Sequence, residues 1–555
     1  MHHGRAHGRD GAPDLRRVRP ETVSLRLRDG VRLDADLWRP AAPGPHPVLL
    51  MRQPYGRRIA STVVFAHPAW YAAQGYIVVI QDVRGSGTSE GDFLAYAAEA
   101  EDGAEAIAWA AGLPGADGRV AMYGFSYQGA AQLLALSRAP AALKAMAPAM
   151  ANWDLHGEKA RDKGAFLLAG NAFWAAQIGA IQARRAGDAA SHAELAAAGP
   201  DMFQGPVPAA PAVLDRHAGL HHHALWRDAP ADHPYWQRAS PAQALAGTEA
   251  DVPALWVGGW FDYHLDGTLA GYRARAAAGG AQWLMIGPWP HLAWSALGAG
   301  ADFGPAAVSD VDALQVALFD HVLKGRALEG WMAACRVRLF DLGRRAWRDF
   351  ATLPEPAMHP LFLAGDGRSA VRLRDGGLAA TPPAAEAWER VTHDPWRPVP
   401  ALGLHHGGPA WCDRAAIDAR FDVLALTTAP LAAPLDLVGE PELVATVQAD
   451  APSFDLNATL CLVTPEGRSF ALSQAHAVLA GGPVRLRLRA LCITLAPGDR
   501  LRLSLAGACF PAYPVNPGTG TDPRAATAAE AVPITLALRC GGADPARLLL
   551  PVAGG

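Results

Sequence analysis

Arg119-Val120-Ala121-Met122-Tyr123-Gly124-Phe125-Ser126-Tyr127-Gln128-Gly129 is the stretch that decides the fold. Its apolar first half reads as a buried strand, and the run AAQLLAL at 130–136 reads as a helix. A serine flanked by glycines between a strand and a helix is the nucleophile-elbow pattern. So sharp a turn forces the serine into a strained backbone conformation and admits only small residues close to it. It also holds a hydroxyl at the end of a sheet with a helix N-terminus behind it, where developing negative charge is favoured. The usual pattern places its second glycine two residues after the serine. Here that position is Gln128, and the glycine follows at 129. A serine in an ordinary strand–helix turn would look similar, so the elbow acquires chemical meaning only with partners.

Outward from the elbow the pattern is strand, helix, strand. Residues 23–39 alternate apolar and polar around Asp29-Gly30, a hairpin signal. Short apolar runs at 48–51, 76–80 and 120–123 predict strands, and 97–111 has helical spacing. That alternation implies a parallel sheet covered by helices. Residues 153–249 lack strand patterning and read as a helical cap, with helices over 164–186 and 190–198 and a Pro-rich passage at 205–212. Strand signals resume at 252–258 and 282–286, and an amphipathic helix is predicted over 311–324.

After about 350 helical spacing vanishes. Alternating runs at 442–448, 458–463, 484–488, 500–505 and 532–538, punctuated by Pro and Gly, predict an all-β jelly-roll sandwich. Pro-rich 382–400 reads as a long loop. The expected division is therefore an α/β-hydrolase domain in two parts (1–152 and 250–349), the cap (153–249) and a jelly-roll domain (350–555).

Size and composition narrow the function classes. A chain of 555 residues exceeds a single core. With 50% hydrophobic and 18% charged residues it is globular, and a net charge of −4 without long runs of one sign argues against nucleic acid or an anionic membrane as partner. No apolar stretch is long enough to span a bilayer. Met1 to Asp10 has no hydrophobic segment and reads as a frayed tail, so a cytoplasmic location is expected. The cysteines at 335, 412, 461, 492, 509 and 540 form no CxxC pair, which suggests reduced thiols and neither zinc nor a disulfide framework. No metal or organic cofactor is expected.

A serine hydroxyl is a weak nucleophile until a base takes its proton. In folds of this kind the partners follow in the order serine, acid, histidine, at the same sheet edge. The two later strand signals each run into a suitable residue, Asp262 in Gly258-Gly259-Trp260-Phe261-Asp262 and His291 in Gly287-Pro288-Trp289-Pro290-His291. His291 would serve as base and then acid, and Asp262 would hold its tautomer. The backbone N–H of Tyr127 would face the oxyanion. Phe125, Trp153, Phe173, Trp174, Trp260, Phe261 and Trp289 are candidates for an aromatic substrate pocket, although each on its own reads equally as core. Asp82 and Arg84 read as a structural ion pair near the elbow. His217, His221, His222 and His223 read as a solvated cap surface, since three consecutive histidines cannot share one helical face.

Arg52-Gln53-Pro54-Tyr55-Gly56, Gln81-Asp82-Val83-Arg84-Gly85, the elbow, Gly259-Trp260-Phe261-Asp262 and Gly287-Pro288-Trp289-Pro290-His291 together resemble the cocaine esterase family. That family is related to the Xaa-Pro dipeptidyl-peptidases and the α-amino acid ester hydrolases. His233-Pro234-Tyr235-Trp236 in the cap and Asn516-Pro517-Gly518-Thr519-Gly520 extend the resemblance over nearly the whole chain. In these relatives the elbow glycine also falls three after the serine. The resemblance implies that Tyr55 donates its hydroxyl to the oxyanion. It implies a serine esterase acting on a small-molecule ester, or on an amide, with a homodimer compatible. An Xaa-Pro dipeptidyl-peptidase or an α-amino acid ester hydrolase or acylase remains an alternative. A non-catalytic binding protein built on the jelly roll is the alternative from another class.

Overall fold

Asp29 and Gly30 turn the chain between two antiparallel strands, β1 (Glu21–Arg26) and β2 (Arg32–Trp38), with Gly30 at φ +86° and the Asp29 carboxylate accepting the Val31 N–H. The computed structural model describes residues 19–58, 62–204, 211–372, 375–406 and 408–553. The N-terminal tail and most of the Pro-rich passage at 205–212 lie outside the described residues.

The hairpin opens a ten-stranded sheet. Its further strands are β3 (His46–Gln53), β4 (Ile77–Asp82), β5 (Ala116–Phe125) and β6 (Leu143–Ala149). After the short cap ribbon β7 (Arg161–Asp162) and β8 (Ala165–Phe166) come β9 (Ala254–Phe261), β10 (Gln282–Pro290), β11 (Val337–Asp341) and β12 (Ala346–Phe350). The sheet order is β1-β2-β4-β3-β5-β6-β9-β10-β11-β12, parallel from β4 to β11 and antiparallel at both edges. Strand alternation sends Val48 and Leu50 into one core with Ile107 and Leu133, and Leu49 and Met51 into another with Tyr71 and Phe319. The helices behind those contacts are α1 (Pro68–Ala73), α2 (Glu99–Ala111), α3 (Tyr127–Leu136) and Val311–Lys324. A sheet covered on both faces is why its strands read as continuous apolar runs.

Between β6 and β9 lies the cap. It begins with a π-helix, Leu155–Ala160, and contains α4 (Leu168–Arg185), Ala189–Ala196 and several shorter helices. The histidine cluster is not a solvated surface: His222 and His223 are buried, and His222 packs against Trp174 and Trp226 with ring centroids 4.1 and 4.3 Å away. His217 and His221 bond Glu194 and the Leu214 carbonyl.

Beyond Phe350 the chain forms a second, thirteen-stranded sheet, predominantly antiparallel, which is the jelly-roll domain. The expected runs appear as Glu442–Ala449, Phe454–Val463, Gly482–Arg487, Arg500–Ala506 and Ile534–Cys540. The passage read as a loop at 382–400 contains a strand, Ala387–His393, paired along its length with Ile534–Cys540. All six cysteines are free, and among the described residues no helix is long and apolar enough to cross a membrane.

Candidate active site

Ser126 sits between β5 and α3 at φ 60°, ψ −124°, a left-handed backbone that a side chain rarely adopts. Its N–H is held by the Ala149 carbonyl of β6 at 2.9 Å. The glycine spacing has a steric cause. A Cβ at Gly129 would lie 2.9 Å from the Ala149 carbonyl oxygen and 2.9 Å from the Ala151 Cβ, so this is where α3 meets β6 most closely. At Gln128 the side chain instead folds back, and its Oε1 accepts the Phe125 N–H at 3.1 Å. A Cβ at Gly124 would fall 2.4 Å from that same Gln128 side chain.

The motifs flanking the elbow brace it. Arg52 of β3 bonds Gln81 of β4 at 2.9 Å and forms a fully buried ion pair with Glu99 at the start of α2. Glu99 in turn accepts the Tyr127 hydroxyl at 2.9 Å. The Tyr127 ring therefore stacks on Tyr96, and its main-chain N–H is the group it leaves at the elbow. Asp82 and Arg84 do not pair with each other. Asp82 takes Arg57, at 2.5 Å, while Arg84 spans to Asp102 and Asp29 because its strand has ended and its side chain leans toward α2.

Asp262 is the first residue after β9 and His291 the first after β10, neighbouring parallel strands, so register alone brings them together. His291 Nδ1 donates to Asp262 Oδ1 at 2.7 Å. Asp262 is fully buried, and His291 lines the same cavity as Ser126. The Tyr55 and Tyr263 hydroxyls both interact with the Ser126 hydroxyl, and Trp174 Nε1 donates to the Tyr55 oxygen at 3.2 Å. Burial pushes the Tyr55 hydroxyl up to about 12 and Tyr263 well above the usual range, so both stay protonated donors.

The cavity measures about 660 Å³. Phe125, Phe173 and Trp174 line it, as does Leu292. Trp153, Trp260, Phe261 and Trp289 do not. The Trp260 and Trp289 indoles donate to the Phe340 and Ala307 carbonyls, each at 2.7 Å, and Phe261 packs with Phe303 and Trp411. Trp153 packs over Gly271 on the helix Leu265–Ala277. The cause is that β9 and β10 run on to Phe261 and Pro290, past where the apolar runs end, so these rings belong to the sheet and not to loops.

Among the lining residues that the sequence reading missed are the titratable Lys159, Tyr263, His405 and His406. Tyr263 had a signal, being adjacent to Asp262. Lys159 was one of three closely spaced cations opening the cap, with Arg161 and Lys163, and nothing in the sequence tied a His-His pair of the jelly-roll domain to this cavity. Burial holds His406 down to about 4 and His405 well below the usual histidine range, so both are neutral. The arrangement is a strained serine and an imidazole lining one aromatic cavity with two tyrosine hydroxyls, the imidazole backed by a buried acid.

Comparison with known proteins agrees with this architecture. Residues 29–293 match the X-Pro dipeptidyl-peptidase (S15 family) model, and 329–549 match the X-Pro dipeptidyl-peptidase C-terminal non-catalytic domain. The cocaine esterase of Rhodococcus sp. (strain MB1 Bresler) is 31% identical over 577 aligned residues, covering 96% of this chain and 98% of that one. Among solved structures, an aminopeptidase from a marine sediment Thaumarchaeota archaeon superposes with a TM-score of 0.79 at 22% identity, covering 100% of this chain and 99% of the other. An α-amino acid ester hydrolase superposes with a TM-score of 0.76 at 22% identity, covering 96% of each chain. These two likenesses speak to the fold.

Proposed function

Because this chain belongs to the cocaine esterase family of serine hydrolases, we propose that it cleaves a small-molecule carboxylic ester through an acyl-enzyme on Ser126. The observation that carries this reading is the 2.7 Å bond from His291 Nδ1 to buried Asp262, with His291 lining the cavity that also holds the strained Ser126. With Nδ1 committed to the aspartate, Nε2 is left to take the serine proton.

Ser126 Oγ attacks the ester carbonyl carbon while His291 Nε2 accepts its proton. The oxyanion takes hydrogen bonds from the Tyr55 hydroxyl and the Tyr127 N–H, each of which can lower the barrier by about 3 kcal/mol. Collapse re-forms the carbonyl and breaks the bond between its carbon and the alkoxy oxygen, and the imidazolium gives the proton to the departing alcohol. Water then repeats the cycle on the acyl-enzyme and frees the acid. Side chains and water complete this chemistry, which calls on no metal or cofactor.

The competing amine-directed readings, dipeptidyl-peptidase or α-amino acid ester hydrolase, need a carboxylate to anchor the substrate's ammonium. Among the described residues the cavity lining contains no Asp or Glu. A cytoplasmic location, a homodimer, the absence of nucleic-acid and membrane partners, and the division into hydrolase, cap and jelly-roll segments belong to the same reading.

The test is Ser126→Ala. It is expected to abolish aryl-ester turnover and labelling by a fluorophosphonate. Burst-phase acylation persisting in that variant defeats the reading, as does wild-type protein that binds glycans yet resists the fluorophosphonate.

A further inference from the structure

The π-helix at the start of the cap delivers an ammonium group into a cavity whose described lining holds no carboxylate. Lys159 is 4% exposed and lines the cavity beside Tyr55, Ser126 and His291. Its Nζ donates one hydrogen bond, to Asn171 Oδ1 at 3.2 Å, and lies 4.9 Å from the Tyr263 ring centroid and 5.7 Å from those of Trp174 and Trp226. Among the described residues no carboxylate forms an ion pair with it. The preceding residue, Glu158, turns the other way and accepts the Trp153 and Asp154 N–H groups. Lys159 is the only Lys or Arg among the described lining residues.

A buried charge that no carboxylate pairs directly is costly, and chains retain one where it has work to do. An ammonium has three N–H donors, of which Asn171 takes one, leaving two for the two oxygens of a carboxylate. The aromatic rings around it stabilise the cation while the site is empty. A π-turn is a known way to re-aim one side chain, often at a functional site.

We infer that the ester this enzyme hydrolyses carries a carboxylate, and that Lys159 selects for it. The inference rests on the hydrolase reading above and deepens it. It also accounts for an aromatic cavity lacking acidic residues: the lining fits an anionic substrate and disfavours a cationic one.

Two matched ester pairs test it by pH-stat. Monophenyl adipate against phenyl hexanoate places the carboxylate on the acyl side; 3-carboxyphenyl butyrate against phenyl butyrate places it on the alcohol side. In one pair, wild-type kcat/KM should favour the anionic ester roughly tenfold or more, as expected for a charge-assisted hydrogen bond. Lys159→Met and Lys159→Gln should erase that ratio. The titratable groups facing Lys159 are the Asp262 carboxylate, which forms no ion pair with it, and the neutral histidines His222 and His264, with Tyr263 beside it. Within wild type alone, the preference should therefore also fade as alkaline pH deprotonates the lysine. That second readout holds even if the variants do not fold. Equal rates on both members of both pairs overturn the inference. So does a preference that survives in the variants or that is indifferent to alkaline pH. Failure to hydrolyse any of the four esters, with no fluorophosphonate labelling, defeats the hydrolase reading instead.

Discussion

Arg489, on the jelly-roll domain, donates from Nη2 to the backbone carbonyl of Asp262 on the hydrolase domain. Both groups are buried, and the bond crosses 227 residues of sequence. The all-β domain thus braces the segment that carries the acid of the proposed triad, and it adds His405 and His406 to the cavity wall. Removing the guanidinium takes away a charge-assisted bond and leaves the carbonyl with the Leu265 N–H at 3.2 Å alone, a loss of roughly 1–3 kcal/mol. Arg489→Met should therefore lower stability by that amount in urea titrations. It should also lower kcat on a neutral aryl ester more than it changes KM, because the Asp262 loop loses its support. A variant as stable and as fast as wild type would show that the contact is dispensable.

Tyr55 and Tyr263 both meet the Ser126 hydroxyl, but only Tyr55 is itself oriented by a hydrogen bond, from Trp174. An oriented donor is the one suited to a developing oxyanion. Tyr55→Phe should cost about 10²–10³-fold in kcat with KM nearly unchanged. Tyr263→Phe should cost far less. Steady-state kinetics on a phenyl ester decide the matter, and a reversed order of the two losses would transfer the oxyanion role to Tyr263.

How much of this could be read from the chain depended on local signals. β3, β4 and β5 were visible because a doubly covered strand is continuously apolar, and Asp262 and His291 because each stands within five residues of the end of such a run. β6 was missed, since Leu143-Lys144-Ala145-Met146-Ala147-Pro148-Ala149 is alanine-rich and carries a lysine and a proline. It is a strand only because β5 and β9 flank it. The pocket aromatics were misjudged for a related reason. Trp260 and Trp289 stand near the triad in sequence, yet strand alternation turns them toward the Phe340 and Ala307 carbonyls. Lys159 and His405 reach the cavity through cap and domain packing, which no periodicity encodes.

The displaced elbow glycine yields a steric prediction. At Gly129 a methyl group would press on the Ala149 carbonyl and the Ala151 side chain, both 2.9 Å away, one at the last residue of β6 and the other two residues beyond it. Neither is a flexible side-chain end, so α3 must shift, at roughly 1–3 kcal/mol for such overpacking. Gly129→Ala should lose that much stability and slow fluorophosphonate labelling, because α3 carries the Tyr127 N–H. At Gln128 the opposite holds. Gln128→Gly removes the hydrogen bond to Phe125 without relieving any clash, and it should be destabilising even though it restores the commoner glycine spacing. Thermal melts of the two variants check both signs.

Lys159 makes the free enzyme's stability depend on pH in a direction opposite to that of a salt-bridged lysine. Burial pushes its ammonium down to about 8 from the ordinary 10.5. Between those values the unfolded chain holds a proton that the folded chain has released, so the native state gains stability as pH rises through that window. Below about pH 8 the folded protein carries the buried charge and the gain is absent. Lys159→Met removes the group from both states. The variant should be more stable than wild type at neutral pH, with the difference shrinking as pH climbs toward 10.5. Saturating adipate should stabilise wild type at neutral pH and leave the variant unmoved, since only the ammonium supplies a counter-charge. Urea titrations at stepped pH, with and without adipate, measure both effects. A variant less stable than wild type at neutral pH would mean that the aromatic cage and Asn171 already compensate the buried cation in full, which leaves no unmet charge for a substrate to satisfy.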